Sequence, residues 1–96
     1  MRKNVKVYIA GAITDNKNYI KQFETAEKNI LKAGDTPLNP VKNIGFGYKE
    51  YIDMGLCELM HCDAIYMLKG YKESKGALLE LKYAETVGLK IFYQRS

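Results

Sequence analysis

The feature that most constrains this chain is an alternation of short apolar runs with stretches long enough for a helix. Lys6-Val7-Tyr8-Ile9-Ala10, Cys62-Asp63-Ala64-Ile65-Tyr66-Met67-Leu68 and Leu89-Lys90-Ile91-Phe92-Tyr93 each read as a strand. Thr36-Pro37-Leu38-Asn39-Pro40 adds a weaker one, which its two prolines confine to a sheet edge or an extended segment. The resulting β-α-β-α-β-α-β order predicts a parallel sheet with helices on both faces. Right-handed crossovers then favour the strand order 2-1-3-4. The expectation is an α/β chain, a single three-layer domain of the Rossmann or flavodoxin-like kind spanning residues 1–96, with a four-stranded parallel sheet.

The helices have their own signals. Asp15 or Asn16 can cap a first helix running to about Ala33, with Phe23, Ala26, Ile30 and Ala33 on its buried face. Glu24 and Lys28 pair on its outer side, and Gly34 stands in the position that closes it. A second helix is expected from Tyr48 to about His61, with Ile52, Leu56 and Leu59 facing the core. Gly55 sits in its middle, at a cost of about 1 kcal/mol relative to Ala. A third starts at Ser74 and ends near Val87-Gly88. The segment between Val41 and Gly47 reads as a loop with an exposed Phe46.

Composition removes several classes of function. At 96 residues the chain has room for one modest core. Its 47% hydrophobic and 27% charged residues are ordinary for a soluble globular protein, and no run has the length of a membrane span. Met1-Arg2-Lys3-Asn4 leads directly into a strand rather than a signal peptide. Cys57 and Cys62 form neither a disulfide framework nor a zinc pattern, which points to a reducing cytoplasm and to no metal. The formal net charge of +4 is spread along the chain without a basic cluster, so a small anionic ligand is the expected partner and a nucleic-acid polymer is not.

In the order 2-1-3-4 the winding reverses between strands one and three, and ligands bind outside the carboxyl ends of the strands at such a point. Two segments converge there. One is the turn after strand one, from Tyr8 through Gly11, Ala12 and Thr14; Gly11 permits a positive φ or the close approach of another group. The other runs from Lys69 to Glu80, where Ser74 caps a helix with Gly76 in its first turn and offers an anion a ring of free amides. Glu80 has Gly76, Ala77, Tyr83 and Ala84 at helical spacing, so no Lys or Arg pairs with it. A carboxylate on the small-residue face of its helix is suited to a ligand. Asp63 begins strand three and is expected at the opposite, structural end. No spaced-glycine dinucleotide fingerprint, phosphate loop or serine nucleophile elbow is present, and no cofactor is implied.

These stretches together resemble the nucleoside 2-deoxyribosyltransferase-like superfamily. Val7-Tyr8-Ile9-Ala10-Gly11 is similar to its first strand and turn, Asn39-Pro40 to the pair after its second strand, Cys62-Asp63-Ala64-Ile65 to its third strand, and Ser74-Lys75-Gly76 with Glu80 to its active-site helix. The likeness runs in order along nearly the whole chain and is closest to a compact branch common in phages and prophages. It implies Glu80 as the nucleophile that attacks C1′ of a deoxyribose and displaces the base, with Tyr8 orienting the nucleophile or the sugar. Gly11, Ala12, Ser74 and Gly76 would bind the substrate. Serine in place of aspartate six residues before the glutamate resembles the deoxynucleoside 5′-monophosphate N-glycosidases and implies a nucleoside monophosphate. The resemblance also implies a homo-oligomer.

One departure stands out. The superfamily generally has an aspartate eight residues before that of strand three, to protonate the leaving base, and here the position is Gly55. Asp53 is the remaining candidate acid, two residues away and about 200° around a helix. Two functional readings follow: an N-glycosidase or deoxyribosyltransferase acting on a deoxynucleotide, and a non-catalytic nucleotide-binding module that captures a phage-related or signalling nucleotide.

Overall fold

A computed structural model of the chain describes residues 4–13, 17–40 and 56–94. Its elements in order are β1 (Lys6–Ala10), α1 (Tyr19–Lys32), β2 (Thr36–Leu38), a helical segment over residues 56–60 (α2), β3 (Ala64–Met67), a 3-10 turn (Tyr71–Glu73), α3 (Lys75–Val87) and β4 (Lys90–Tyr93). The strands form one parallel sheet in the order β2-β1-β3-β4, as the crossover rule predicts. Tyr8 lies opposite Leu38 on one side and Ile65 on the other, which fixes the register of the two central strands. Pro37 sits on β2, at the sheet edge, where a missing amide is tolerated.

Period-two alternation sorts the strand side chains into two cores. Val7, Ile9, Ala64 and Leu68 pack against Phe23, Ala26 and Ile30 of α1. Tyr8, Ala10, Ile65 and Met67 point the other way, against Leu59 and Cys62 at the end of α2 and Ala77 and Ala84 of α3. The sheet is thus the middle of three layers. The Glu80 helix and the Phe23 helix cover opposite faces.

Two details of α1 differ from the sequence expectation. The cap position belongs to Asn18, not to Asp15 or Asn16, which lie outside the described residues. Asn18 makes no side-chain cap hydrogen bond, so capping preference does not decide where this helix starts. Ala33 is exposed rather than core-facing, because the helix ends at Lys32 and Ala33 is its C-cap. Gly34 follows with φ +86°, the left-handed closure its position implies. Thr14, the Val41 to Gly47 segment expected as a loop with Phe46, and Tyr48, Ile52, Asp53 and Gly55 of the expected second helix also lie outside the described residues.

Asp63 pins the amino ends of the two central strands. Its Oδ2 accepts from the Lys6 amide at 3.1 Å, while its own amide donates to the Lys6 carbonyl at 2.9 Å. That is the structural placement read from the sequence. At the other end of the sheet, Leu68 N donates to Ala10 O at 2.8 Å, so the chain segments leaving β1 and β3 start side by side.

Candidate active site

Glu80 occupies the buried stripe of α3 together with Ala77 and Ala84, at spacings of three and four. The small neighbours let the helix approach the sheet closely, and the carboxylate reaches Tyr8 on β1. The Tyr8 hydroxyl donates to Glu80 Oε2 at 2.6 Å. Both residues are shielded, with 2% of Tyr8 and 8% of Glu80 exposed. A charge-assisted bond of this length, out of water, is among the stronger kinds available to side chains.

The environment pushes both groups toward their neutral forms. Burial raises the Glu80 carboxyl from 4.5 to about 7; the Tyr8 hydrogen bond works against that rise, and the nearby Glu58 charge adds to it. Burial also raises the Tyr8 hydroxyl well above its ordinary value, followed by the charge of Glu80, their hydrogen bond, and the charges of Glu58 and Cys62. A carboxyl poised near neutrality is the protonation behaviour that active sites favour.

The start of α3 supplies a second kind of chemistry. Ser74 is extended (φ −117°, ψ 117°) and its Oγ accepts from Ala77 N at 3.1 Å, while its carbonyl accepts from Leu78 N at 3.0 Å. The amides of Lys75 and Gly76 precede the first position that could find an acceptor inside the helix. A hydroxyl that accepts one bond can still donate its own proton. The first turn therefore combines a serine O–H, two amides and the positive end of the helix dipole, a set suited to a phosphate. Gly70, at φ +86°, and the 3-10 turn after it carry the chain from β3 into this start.

Gly11 and Ala12 leave β1 at the same edge of the sheet. Gly11 has no positive φ; what it needs is space, because an added Cβ would meet Leu68 Cβ and Cδ1 at 2.9 Å. Ala12 is buried. Of the residues singled out in the sequence, Tyr8 and Glu80 are in direct contact, Ser74 and Gly76 stand in the turn before Glu80, and Gly11 packs on the end of β3. Asp53 lies outside the described residues.

The residue that sequence reasoning passed over is Glu58, whose charge bears on Tyr8, Glu80 and Cys62 alike. A signal was there. Its helical neighbours in sequence are Met54, Gly55, His61 and Cys62, so it lacks a Lys or Arg at those spacings just as Glu80 does. Among the described residues no group of three or more His, Cys, Asp or Glu is placed to hold a metal ion, and no helix is long and apolar enough to cross a membrane. A groove of about 740 Å³ between α1 and β4, lined by Ile30, Tyr66 and Phe92 among others, is on the opposite face of the sheet from Glu80.

The chain belongs to the family described as Domain of unknown function (DUF4406), which matches residues 5–93. No curated protein matches it. Among solved structures it is similar to a 2-desoxiribosyltransferase from Leishmania mexicana, at 22% identity and a TM-score of 0.73, with 93% of this chain and 63% of that one covered. The likeness is one of fold, and this chain spans less than two thirds of the other's length.

Proposed function

We propose that this member of the DUF4406 family breaks the N-glycosidic bond of a deoxynucleoside 5′-monophosphate, passing the sugar to water or to a second base. The observation that carries the reading is the buried Glu80 carboxylate held by the Tyr8 hydroxyl at 2.6 Å, on the helix whose first turn is suited to a phosphate. The fold shared with a 2-desoxiribosyltransferase supports the same class of chemistry.

In this mechanism the 5′-phosphate sits on the Ser74 hydroxyl and the amides of Lys75 and Gly76. Gly11 and Ala12 form the wall opposite, where the absence of side-chain bulk lets the sugar approach the backbone. Tyr8 fixes one carboxylate oxygen of Glu80, which leaves the other to attack C1′. The C1′–N bond breaks, its electron pair leaves with the base, and a covalent glycosyl-enzyme forms. Water or an acceptor base then attacks C1′ from the vacated side, and Glu80 departs as carboxylate. Burial serves this step by keeping the nucleophile weakly solvated, while the Tyr8 bond keeps a useful fraction of it ionised near neutral pH. The same reading carries a homo-oligomer and a small nucleotide as partners.

The test is base release from the common deoxynucleoside 5′-monophosphates by wild type and by Glu80→Ala. Release by wild type that is lost in the variant, with the nucleotide still bound, supports the nucleophile. A second reading rests on Gly55, which puts no carboxyl at the position the resembled enzymes use for their acid. It makes the chain a nucleotide-capture module. Its signature is a deoxynucleotide that raises the melting temperature of wild type while no base is released from any of them.

A further inference from the structure

The proposed phosphate site stands at the end of the loop that joins β3 to α3, and the course of that loop decides where the first amides of α3 point. Resting on that site, we propose that Gln22 and Gln94 are positioning residues for phosphate recognition, acting through the backbone of Lys69.

Each carbonyl from Met67 to Tyr71 accepts a hydrogen bond, which leaves the loop few other arrangements. Met67 O accepts from Gln94 N at 2.8 Å and continues the pairing of β3 with β4 by one step. Leu68 O accepts from Tyr71 N at 3.2 Å, Gly70 O from Glu73 N at 3.0 Å and Tyr71 O from Ser74 N at 3.0 Å. The 3-10 turn and Ser74 are therefore one hydrogen-bonded unit. Lys69 is held differently, by side chains from distant parts of the chain. Its amide donates to Gln94 Oε1 at 2.8 Å, and its carbonyl accepts from Gln22 Nε2 at 3.0 Å. Gln22 Nε2 also donates to Gln94 Oε1 at 3.2 Å, which closes a triangle around the Lys69 backbone. The triangle fixes both side-chain amides: the N–H requires the oxygen of Gln94, the carbonyl requires the NH2 of Gln22, and these two ends suit one another.

The Lys69 carbonyl belongs to the peptide that precedes Gly70, and Gly70 is in the left-handed region at φ +86°. Glycine is the residue least restricted by its own backbone, so the peptide before it is where the direction of the loop is decided. Holding that peptide sets how the 3-10 turn leaves β3, and with it the Ser74 hydroxyl and the first amides of α3. Gln22 reaches it from α1, on the face of the sheet opposite Glu80, and Gln94 from the end of β4. A loop already held in its binding shape spares the ligand the cost of ordering it.

The experiment is calorimetric titration of the common deoxynucleoside 5′-monophosphate that binds most tightly, and of its nucleoside, against wild type, Gln94→Met, Gln94→Glu and Gln22→Met. About 0.5 M salt screens the charge that glutamate adds. Methionine at 94 fills the space and accepts neither bond well, whereas glutamate keeps an accepting oxygen for both Lys69 N and Gln22 Nε2. The readout is the ratio of monophosphate to nucleoside affinity, which does not depend on the folded fraction of a preparation and which a merely structural role leaves unmoved. Both methionine variants should lower the ratio about three- to tenfold, the range for one or two lost hydrogen bonds, and Gln94→Glu should stay within about twofold of wild type. An unchanged ratio in either methionine variant, or a fall in Gln94→Glu as large as in Gln94→Met, overturns the positioning role while leaving the phosphate at the start of α3. A wild type that binds the nucleoside as tightly as the monophosphate, or binds neither, overturns the phosphate site and this role together.

Discussion

The Tyr8 hydroxyl and Glu80 Oε2, 72 residues apart in the chain, meet at 2.6 Å between the central strand β1 and the helix α3. The bond opposes the burial that raises the Glu80 carboxyl to about 7. Tyr8→Phe keeps the ring and removes only that opposition. A hydrogen bond to a charged group contributes about 1.5–3 kcal/mol, equivalent to roughly one to two pH units. The acid limb of kcat/KM should therefore move upward by about that much, with activity at pH 7 reduced about tenfold or more. A pH profile of base release checks it; a uniform loss at every pH would show that Tyr8 acts on something other than the ionisation of Glu80.

The same raised carboxyl makes stability fall as pH rises. The unfolded glutamate releases its proton near 4.5 and the folded one near 7, so between those values the folded state holds the extra proton. The stabilisation is whole below about pH 4.5 and is lost by the time the pH passes 7, an effect on the order of 3 kcal/mol. Glu80→Gln carries no such proton. Its urea midpoint should be flatter than wild type's between pH 5 and 8, and at pH 8 the variant should be the more stable of the two. A wild-type midpoint that does not decline over that range would contradict the burial of an ionisable Glu80.

How much of this was legible in the sequence differs from residue to residue. The strand order followed from apolar runs separated by helix-length spacers, since handedness leaves few topologies for that pattern. Glu80 could be singled out because helical spacing is local, and its neighbours Gly76, Ala77, Tyr83 and Ala84 offer no cation. Its partner could be suggested only by resemblance, because the meeting with Tyr8 depends on which face of β1 each side chain takes and on where α3 crosses the sheet. The start of α1 was read less well than that of α3: Ser74 caps α3 through its side chain, whereas Asn18 takes the N-cap position of α1 with no side-chain cap hydrogen bond, which leaves no residue-type signal for that end.

Gly11 is required for space. Its would-be Cβ lies 2.9 Å from the Cβ of Leu68, an atom next to the backbone and unable to swing away, and Leu68 N is itself tied to Ala10 O at 2.8 Å. Gly11→Ala must push the end of β1 away from β3. Overpacking of this kind costs about 1–3 kcal/mol. Thermal unfolding should show the loss, and Leu68→Gly in the same chain, which removes the Cβ together with Cγ and Cδ1, should recover part of the effect of the glycine change. Simple addition of the two losses would mean the clash is relieved by the loop instead.

Ser74 has two duties that separate under substitution. As the cap of α3 it accepts from Ala77 N at 3.1 Å, and loss of such a cap costs about 1 kcal/mol. As the proposed phosphate donor its O–H bonds a ligand that a bare nucleoside lacks. Ser74→Ala removes both, whereas Ser74→Asp keeps a capping oxygen and places a negative charge where the phosphate would sit. The alanine variant should melt lower and bind a deoxynucleoside 5′-monophosphate several-fold more weakly, with a smaller change for the nucleoside. The aspartate variant should hold its melting temperature yet lose the monophosphate more severely than alanine does, because repulsion is added to the missing donor. Calorimetric titration of both ligands against the three proteins reads this directly. Equal losses for nucleoside and monophosphate in the aspartate variant would place the phosphate away from the start of α3 and leave Ser74 as a cap alone.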